Sequence, residues 1–167
     1  NLTVEEILIR SSNVGSVILA RKIGEDKFRN FIREAGLINS PTIELEEVGT
    51  PHKFNWNKCK IETISFGHGI TTTPLQVTAL YASVVNGGNL ITPSLVKDSK
   101  SPEKKKIISS ETSKKLTNIL RKVVNSEKGT ASLADKDGYY VGGKTGTAES
   151  YGNKKQRINT FISIFPT

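Results

Sequence analysis

Cysteine and histidine are scarce in this 167-residue chain, which contains one cysteine, Cys59, and two histidines. A lone cysteine excludes an intrachain disulfide, and so few ligands exclude a zinc site of the usual spacing. A catalytic thiol at Cys59 would need a histidine partner that the sequence does not place, so an incidental or buried cysteine is favoured. No G-x-S-x-G elbow occurs, which leaves an ordinary Ser-His-Asp hydrolase little support, and His68 is interpreted as a loop histidine.

Methionine is absent altogether, and no apolar stretch is long enough to span a membrane as a helix. No signal-peptide pattern opens the chain either. The missing initiator and the abrupt start lead us to expect a piece of a longer protein. The length and the 35% apolar fraction suit one domain, part of whose core would come from other segments.

Acidic residues are outnumbered, 16 against 24 lysines and arginines, which gives a net charge of +8. Such a balance raises the possibility of a nucleic-acid partner. The lysines are scattered, however, and the densest cluster, at residues 97–106, has acidic neighbours and no aromatic residue for base stacking. We therefore predict a solvated loop at this cluster and no nucleic-acid partner.

The most informative feature that is present is residues 144–147, with the sequence KTGT. Lys144 supplies a cation and Thr145 and Thr147 supply hydroxyl donors, a combination suited to capturing a carboxylate. Gly146 removes a side chain where a substrate backbone would lie close. Taken alone, the same residues could equally form a polar surface strand.

A second element, residues 11–13 with the sequence SSN, favours the carboxylate-binding interpretation of KTGT over the surface strand. Together the two elements resemble the S-x-N and K-T-G pair of the penicillin-recognising serine enzymes. Three further stretches resemble class B penicillin-binding proteins of the division type. They are residues 65–69 (SFGHG), residues 73–76 (TPLQ) followed by the NGG of residues 86–88, and residues 160–166 (TFISIFP).

The S-x-x-K motif that holds the nucleophile of this family is not found upstream of Ser11. Two matches, at Ser94 with Lys97 and at Ser101 with Lys104, lie between S-x-N and K-T-G, which is the wrong order. We interpret both as chance matches in a lysine-rich stretch. Residues 1–167 are therefore expected to be a partial transpeptidase domain, lacking the upstream S-x-x-K segment and the terminal strand and helix.

The resemblance implies an α+β, serine β-lactamase/penicillin-binding-protein transpeptidase-like fold, an antiparallel sheet flanked by helices, incomplete at both ends. It implies a peptidoglycan D,D-transpeptidase (or D-Ala-D-Ala carboxypeptidase) class of enzyme that needs no cofactor and no metal. Its partners would be D-Ala-D-Ala stem peptides, β-lactam antibiotics and division-complex membrane proteins. The parent protein would lie in the bacterial inner membrane with its catalytic domain on the periplasmic or extracellular face.

The resemblance also implies roles for individual residues. Ser11 would carry a proton to the departing amine, and Lys144 would polarise Ser11 and attract the substrate carboxylate. Asn13 would hold the substrate peptide or orient the absent lysine. A helix cap is the alternative role of both Ser11 and Asn13. Thr145 and Thr147 would bind the carboxylate, with the Thr147 N–H in the oxyanion hole, and Gly146 would let the substrate run along the strand.

Two other function classes stay open. The chain could be a non-catalytic or degenerate module that binds cell-wall peptides or division partners. A class A β-lactamase is weaker, because Ser12 stands where those enzymes usually carry aspartate.

Local patterns predict alternating helices and strands. Capping boxes are predicted at Thr3 with Glu6 and at Thr73 with Gln76. On the helix that follows the SSN motif, Val14, Val17 and Ile18 are predicted to face inward. The predicted helices are a short one after Thr3, residues 14–23, 25–35 and 74–85, and one beginning at Ser110, and the predicted strands are residues 139–149 and 159–165.

Overall fold

The computed structural model describes residues 2–49, 55–56, 61–97, 103–150 and 156–167. The chain divides into two compact units, one made of Asn1–Gly15 and Lys115–Thr167, the other of Ser16–Lys114. Helices and small antiparallel sheets make the structure α+β, as predicted. Cys59 and Ser101 lie outside the described residues.

Among the described residues, six α-helices are present, and five of them lie where the local signals predict a helix; the short fourth helix was not predicted. Both capping boxes are present, with the Thr3 and Thr73 hydroxyls accepting the N–H of Glu6 and Gln76. These bonds satisfy N–H groups that a helix start leaves without partners. The helices are α1 (Val4–Ile9), α2 (Asn13–Ile23), α3 (Glu25–Glu34), α4 (Ile61–Ile64), α5 (Pro74–Val85) and α6 (Ser110–Asn125).

Two antiparallel pairs of strands make up the sheets of the described residues. The first pair joins β1 (Asn89–Ile91) to β2 (Lys104–Lys106), and the second joins β3 (Gly142–Ser150) to β4 (Gln156–Ile164). The prediction of a solvated loop at the lysine-rich stretch was thus wrong for Lys104–Lys106. The three lysine side chains are exposed, as expected, while the backbone between them pairs with β1.

The core of the first unit joins the end of α1 to the end of α6. Ile9, Val123, Val124 and Ala131 form one buried cluster. Removing these side chains from water stabilises the unit by roughly 1.5–3 kcal/mol for each large one. The cluster therefore holds two stretches together that are far apart in the sequence.

The apolar face predicted for α2 was wrong in part. Val14 is 72% exposed and Ile18 is 50% exposed. The buried positions of this helix are small residues, Gly15 and Ala20. A Cβ at Gly15 would lie 2.5 Å from a side-chain carbon of Ile7, so glycine is what permits this contact. Periodicity of large side chains does not detect a contact face made of small ones.

In the second unit, Gln76 does more than close its capping box. Its side chain is buried, and its amide nitrogen donates to the carbonyls of Gly36 and Asn39 at 2.6 and 2.7 Å. Because both the oxygen and the nitrogen of this amide form hydrogen bonds, Gln76 connects the start of α5 to the loop that follows α3.

Candidate active site

The junction between α1 and α2 holds Ser11 in a left-handed backbone conformation. Its φ of 52° is the one positive φ outside glycine among the described residues. The N–H of Ser11 donates to the carbonyl of Leu8, and that of Ser12 to the carbonyl of Ile7, at 3.3 and 2.9 Å. These bonds form a Schellman motif, whose left-handed position is usually glycine. A serine there costs about 1 kcal/mol or more, so placing a hydroxyl at this point lowers stability.

The three residues of the SSN motif occupy distinct structural positions. Ser12 caps α2, since its Oγ accepts the N–H of Gly15 at 3.1 Å. Asn13 is the first residue of α2 and is exposed. The capping role considered as an alternative for Ser11 and Asn13 therefore belongs to Ser12.

The strand that carries Lys144 is held against α6 at its beginning. Arg121 on α6 donates to the carbonyl of Val141 at 2.7 Å and pairs with Asp135 at 2.9 Å. A Cβ at the buried Gly142 would lie 3.1 Å from the backbone nitrogen of Arg121. Glycine thus permits the close packing that sets the position of β3.

The side chains of Ser11 and Lys144 are in contact although they lie 133 positions apart, as predicted. The Nζ of Lys144 donates to Ser11 Oγ, and also to the carbonyl of Thr145 at 3.0 Å. Among the described residues, no carboxylate forms an ion pair with Lys144. Burial lowers the pKa of the half-buried Lys144 below its ordinary value. Because no described carboxylate pairs with Lys144, its ammonium group can attract the anionic group of a ligand.

A row of hydroxyls continues from this contact. Thr130 Oγ1 lies 2.8 Å from Thr145 Oγ1 and 3.5 Å from Ser11 Oγ, the latter at the outer limit for a hydrogen bond. Each hydroxyl can donate one proton and accept others. Lys144, Ser11, Thr130 and Thr145 thus form a continuous polar path.

No motif in the sequence indicates Thr130 as a site residue. A threonine after a glycine is too common a pattern to indicate chemistry. Only the fold places Thr130 beside Ser11, 119 positions away in the sequence.

The remaining predicted substrate-binding residues lie farther along β3 and are exposed. Thr147 Oγ1 donates to Asn159 Oδ1 across the strand pair at 3.2 Å. A Cβ at Gly146 would lie 2.7 Å from Thr160 Oγ1, so the absence of a side chain keeps this part of the strand uncrowded. In the part of the chain that the structure describes, no side-chain hydrogen bond joins Thr147 to the row of hydroxyls.

Asn13 is not joined to that row either. Within the described part of the chain, no hydrogen bond links its side chain to Ser11 or Lys144. Asn13 begins α2 with an exposed side chain, and its predicted role remains a prediction.

The arrangement suits the recognition of an extended peptide with a terminal carboxylate. In the described residues β3 pairs with β4 alone, so its other edge presents backbone donors and acceptors to an added strand. The ammonium and hydroxyls at Lys144 and Thr145 can bind a carboxylate. Ser11 can accept from an ammonium while donating its own proton, which suits proton transfer.

Solved structures place this architecture in a known class. The transpeptidase domain of penicillin-binding protein 3 from Burkholderia pseudomallei matches with a TM-score of 0.87 and 25% identity, over 99% of this chain and 52% of that one. Penicillin-binding protein 3 from Mycobacterium tuberculosis, complexed with aztreonam, has the same fold, with a TM-score of 0.87 and 22% identity over 98% of this chain and 42% of that one. The predicted fold class is confirmed.

The family follows from the sequence comparison. A family model for the penicillin binding protein transpeptidase domain matches residues 1–167, and this chain belongs to that family. The resemblance to division-type class B penicillin-binding proteins is confirmed by relatives matched along almost the whole chain.

Two of these relatives illustrate the similarity. A probable peptidoglycan D,D-transpeptidase FtsI from Caulobacter vibrioides is 32% identical over 99% of this chain and 30% of that protein. Stage V sporulation protein D from Bacillus subtilis is 35% identical over 98% of this chain and 27% of that protein. The chain thus spans less than a third of these relatives. No helix among the described residues is both long and apolar enough to cross a membrane.

Proposed function

We propose that the protein containing this chain is a peptidoglycan D,D-transpeptidase that cross-links stem peptides in cell-wall synthesis at division and binds β-lactams. The contact between Lys144 and Ser11, beside the edge of β3 that no described strand covers, carries this proposal. Membership of the transpeptidase family and the names of the FtsI and sporulation relatives support it.

The reaction is an acyl transfer in two steps. A serine attacks the penultimate D-Ala carbonyl, and the terminal D-Ala leaves as an amine, which gives an acyl-enzyme. An amine from a neighbouring stem then takes the acyl group. A β-lactam acylates the serine in the same way as in the first step, and the resulting ester is hydrolysed slowly. The nucleophile is the serine of an S-x-x-K segment outside residues 1–167, whose lysine acts as the base.

This chain supplies the opposite wall of the cleft. Ser11 passes its proton to the departing nitrogen, and the Lys144 ammonium keeps that hydroxyl polarised while attracting the substrate carboxylate. Asn13 holds the substrate peptide or orients the lysine of S-x-x-K.

The β3 residues bind the carboxylate and the peptide beside it. Thr145 and Thr147 donate hydroxyl protons to the carboxylate, and the Thr147 N–H is one oxyanion donor. Because Thr147 Oγ1 now donates to Asn159, it must turn away from that amide when a carboxylate arrives. Gly146 lets the peptide lie along the strand edge.

The location and partners of the protein follow from the same proposal. We place the protein in the bacterial inner membrane, with this domain on the periplasmic or extracellular face. Its substrates are D-Ala-D-Ala stem peptides, and other division-complex membrane proteins are its neighbours. No metal or organic cofactor takes part.

Labelling of the full-length protein with a fluorescent penicillin tests the proposal. We expect a stable covalent adduct that peptide mapping assigns to a serine outside residues 1–167. An adduct on Ser94 or another serine within the chain would refute the assignment of the nucleophile. Absence of labelling would favour the non-catalytic binding module, and rapid release of the label would favour a β-lactamase.

A further inference from the structure

We propose that Thr130 is a positioning residue that links the proton-donating hydroxyl of Ser11 to the carboxylate-binding hydroxyl of Thr145. The inference rests on the proposed function and assigns a role to a residue outside the SSN and KTGT motifs. Its basis is geometric, since Thr130 Oγ1 lies 3.5 Å from Ser11 Oγ and 2.8 Å from Thr145 Oγ1.

The backbone on both sides of Thr130 is fixed by hydrogen bonds to the last turn of α6 and to the residue that follows this helix. The N–H of Ala131 donates to the carbonyl of Val123 at 3.2 Å, and that of Gly129 donates to the carbonyl of Ser126 at 2.9 Å. A Cβ at Gly129 would overlap the Val123 carbonyl oxygen, so no other residue fits there without a shift. Thr130 therefore projects its hydroxyl from a rigid turn.

The same core positions Ser11. Ile9, two residues before Ser11, is buried in the cluster that contains Ala131. An ion pair of 2.7 Å between Lys122 and Glu5 also connects α6 to α1. Because one packed core supports both Ser11 and Thr130, the approach of their hydroxyls is a product of the fold.

The order of donors along the path follows from what each group can donate. Lys144 donates to Ser11, so Ser11 Oγ has its single proton to give elsewhere. Thr145 has to give its own proton to a carboxylate, so in the pair with Thr130 it acts as the acceptor. Thr130 thus donates to Thr145 and accepts from Ser11, and every donor points the same way, which strengthens each bond.

Proton transfer breaks the longest contact of this path, the one between Ser11 and Thr130. As the C–N bond of the substrate breaks with its electron pair going to nitrogen, the Ser11 proton turns from Thr130 to that nitrogen. The Lys144 ammonium then returns a proton to Ser11. At 3.5 Å the Ser11–Thr130 contact is easily given up, whereas the 2.8 Å contact keeps Thr145 aimed at the carboxylate.

The test compares Thr130→Val with Thr130→Ser in the full-length protein, with the second-order rate of acylation by benzylpenicillin as the readout. Valine has the shape of threonine without the hydroxyl, and serine retains the hydroxyl. We expect Thr130→Val to acylate roughly fivefold to tenfold more slowly, as for one lost hydrogen bond, and Thr130→Ser to stay within about twofold of wild type. Both variants should keep the wild-type melting temperature, since the Thr130 side chain is exposed.

A double-mutant cycle shows whether the hydroxyls act together. In a Thr145→Val background, the further change Thr130→Val should have almost no effect, because its acceptor is gone. Three results would each overturn the inference. They are equal slowing of acylation by Thr130→Val and Thr130→Ser, a Thr130→Val protein that reacts at the wild-type rate, and a Thr130→Val change that slows acylation by the same factor with and without Thr145→Val. Wild-type protein that fails to react would instead refute the proposed function, so the two failures are distinct.

Discussion

Helices α1 and α3 end in the same backbone motif, but they place different residue types at its left-handed position. At the end of α3, the N–H of Gly36 donates to Arg33 and that of Leu37 to Ile32, at 3.0 and 3.3 Å, with Gly36 at a φ of 70°. At the end of α1, Ser11 takes the place of that glycine at a φ of 52°.

The difference separates a helix end whose residue stability alone favours from one that carries a candidate site residue. Glycine adopts the left-handed conformation without steric cost, so Gly36 is the residue that stability alone favours. Ser11 keeps a Cβ in that conformation and gains a hydroxyl that contacts Lys144. Departures from the residue type that local structure prefers are expected at functional sites.

The largest expected effect is on catalysis. Replacing Ser11 by alanine or glycine in the full-length protein should lower the rate of acylation by benzylpenicillin by about 10²–10⁴-fold, as for loss of an acid–base group. The matched change at the other helix end, Gly36→Ala, should leave that rate close to wild type. Stopped-flow or gel-based labelling measures both, and an unimpaired Ser11→Ala protein would contradict the role of Ser11.

A smaller effect, of opposite sign at the two ends, is expected on stability. Ser11→Gly should be more stable than Ser11→Ala by about 1 kcal/mol, because glycine relieves the left-handed backbone. Gly36→Ala should lower the free energy of unfolding by about the same amount, relative to wild type. A Cβ at Gly36 would meet nothing within 4 Å, so its cost is conformational rather than steric.

Urea unfolding of the complete transpeptidase domain measures both differences. If Ser11→Gly proved no more stable than Ser11→Ala, the strain assigned to Ser11 would be disproved. Gly36→Ala at wild-type stability would likewise remove the basis of the comparison.

The smallest effect concerns Ser12, which caps the helix that follows Ser11. Ser12→Gly should lower the free energy of unfolding by only a few tenths of a kcal/mol, whereas Ser12→Ala should lower it by about 1 kcal/mol. Differential scanning calorimetry can resolve the two variants. Equal losses would indicate that the Oγ contact with Gly15 does not act as the cap.

Much of the helical structure was predictable because its signals are local. The Thr73, Pro74 and Gln76 pattern predicted a helix over residues 74–85, and α5 spans Pro74–Val85. Caps and helix-ending glycines act within one turn, so a short window of sequence contains the whole signal.

Predictions that depend on distant partners were less successful. Lys104–Lys106 form a strand because β1 supplies backbone partners, which no property of three lysines indicates. The role of Gln76 as a buried link to Gly36 and Asn39 was equally invisible, since it depends on the fold around it.

The residues of the candidate site also differ in whether the sequence alone indicates them. The SSN and KTGT motifs indicated Ser11 and Lys144 because their residue types suit a known chemistry in a known order. Thr130 carries no motif, and its hydroxyl matters only through its distance from Ser11 and Thr145.

By itself the sequence determined which residue types are available for chemistry, and where most of the helices begin, since both are properties of short segments. Only the tertiary structure decided that Ser11, Thr130 and Lys144 meet. The physical reason is burial: covering Ile9, Val123, Val124 and Ala131 from water in one cluster draws the end of α1 to the end of α6. No local pattern encodes a contact between side chains 133 positions apart.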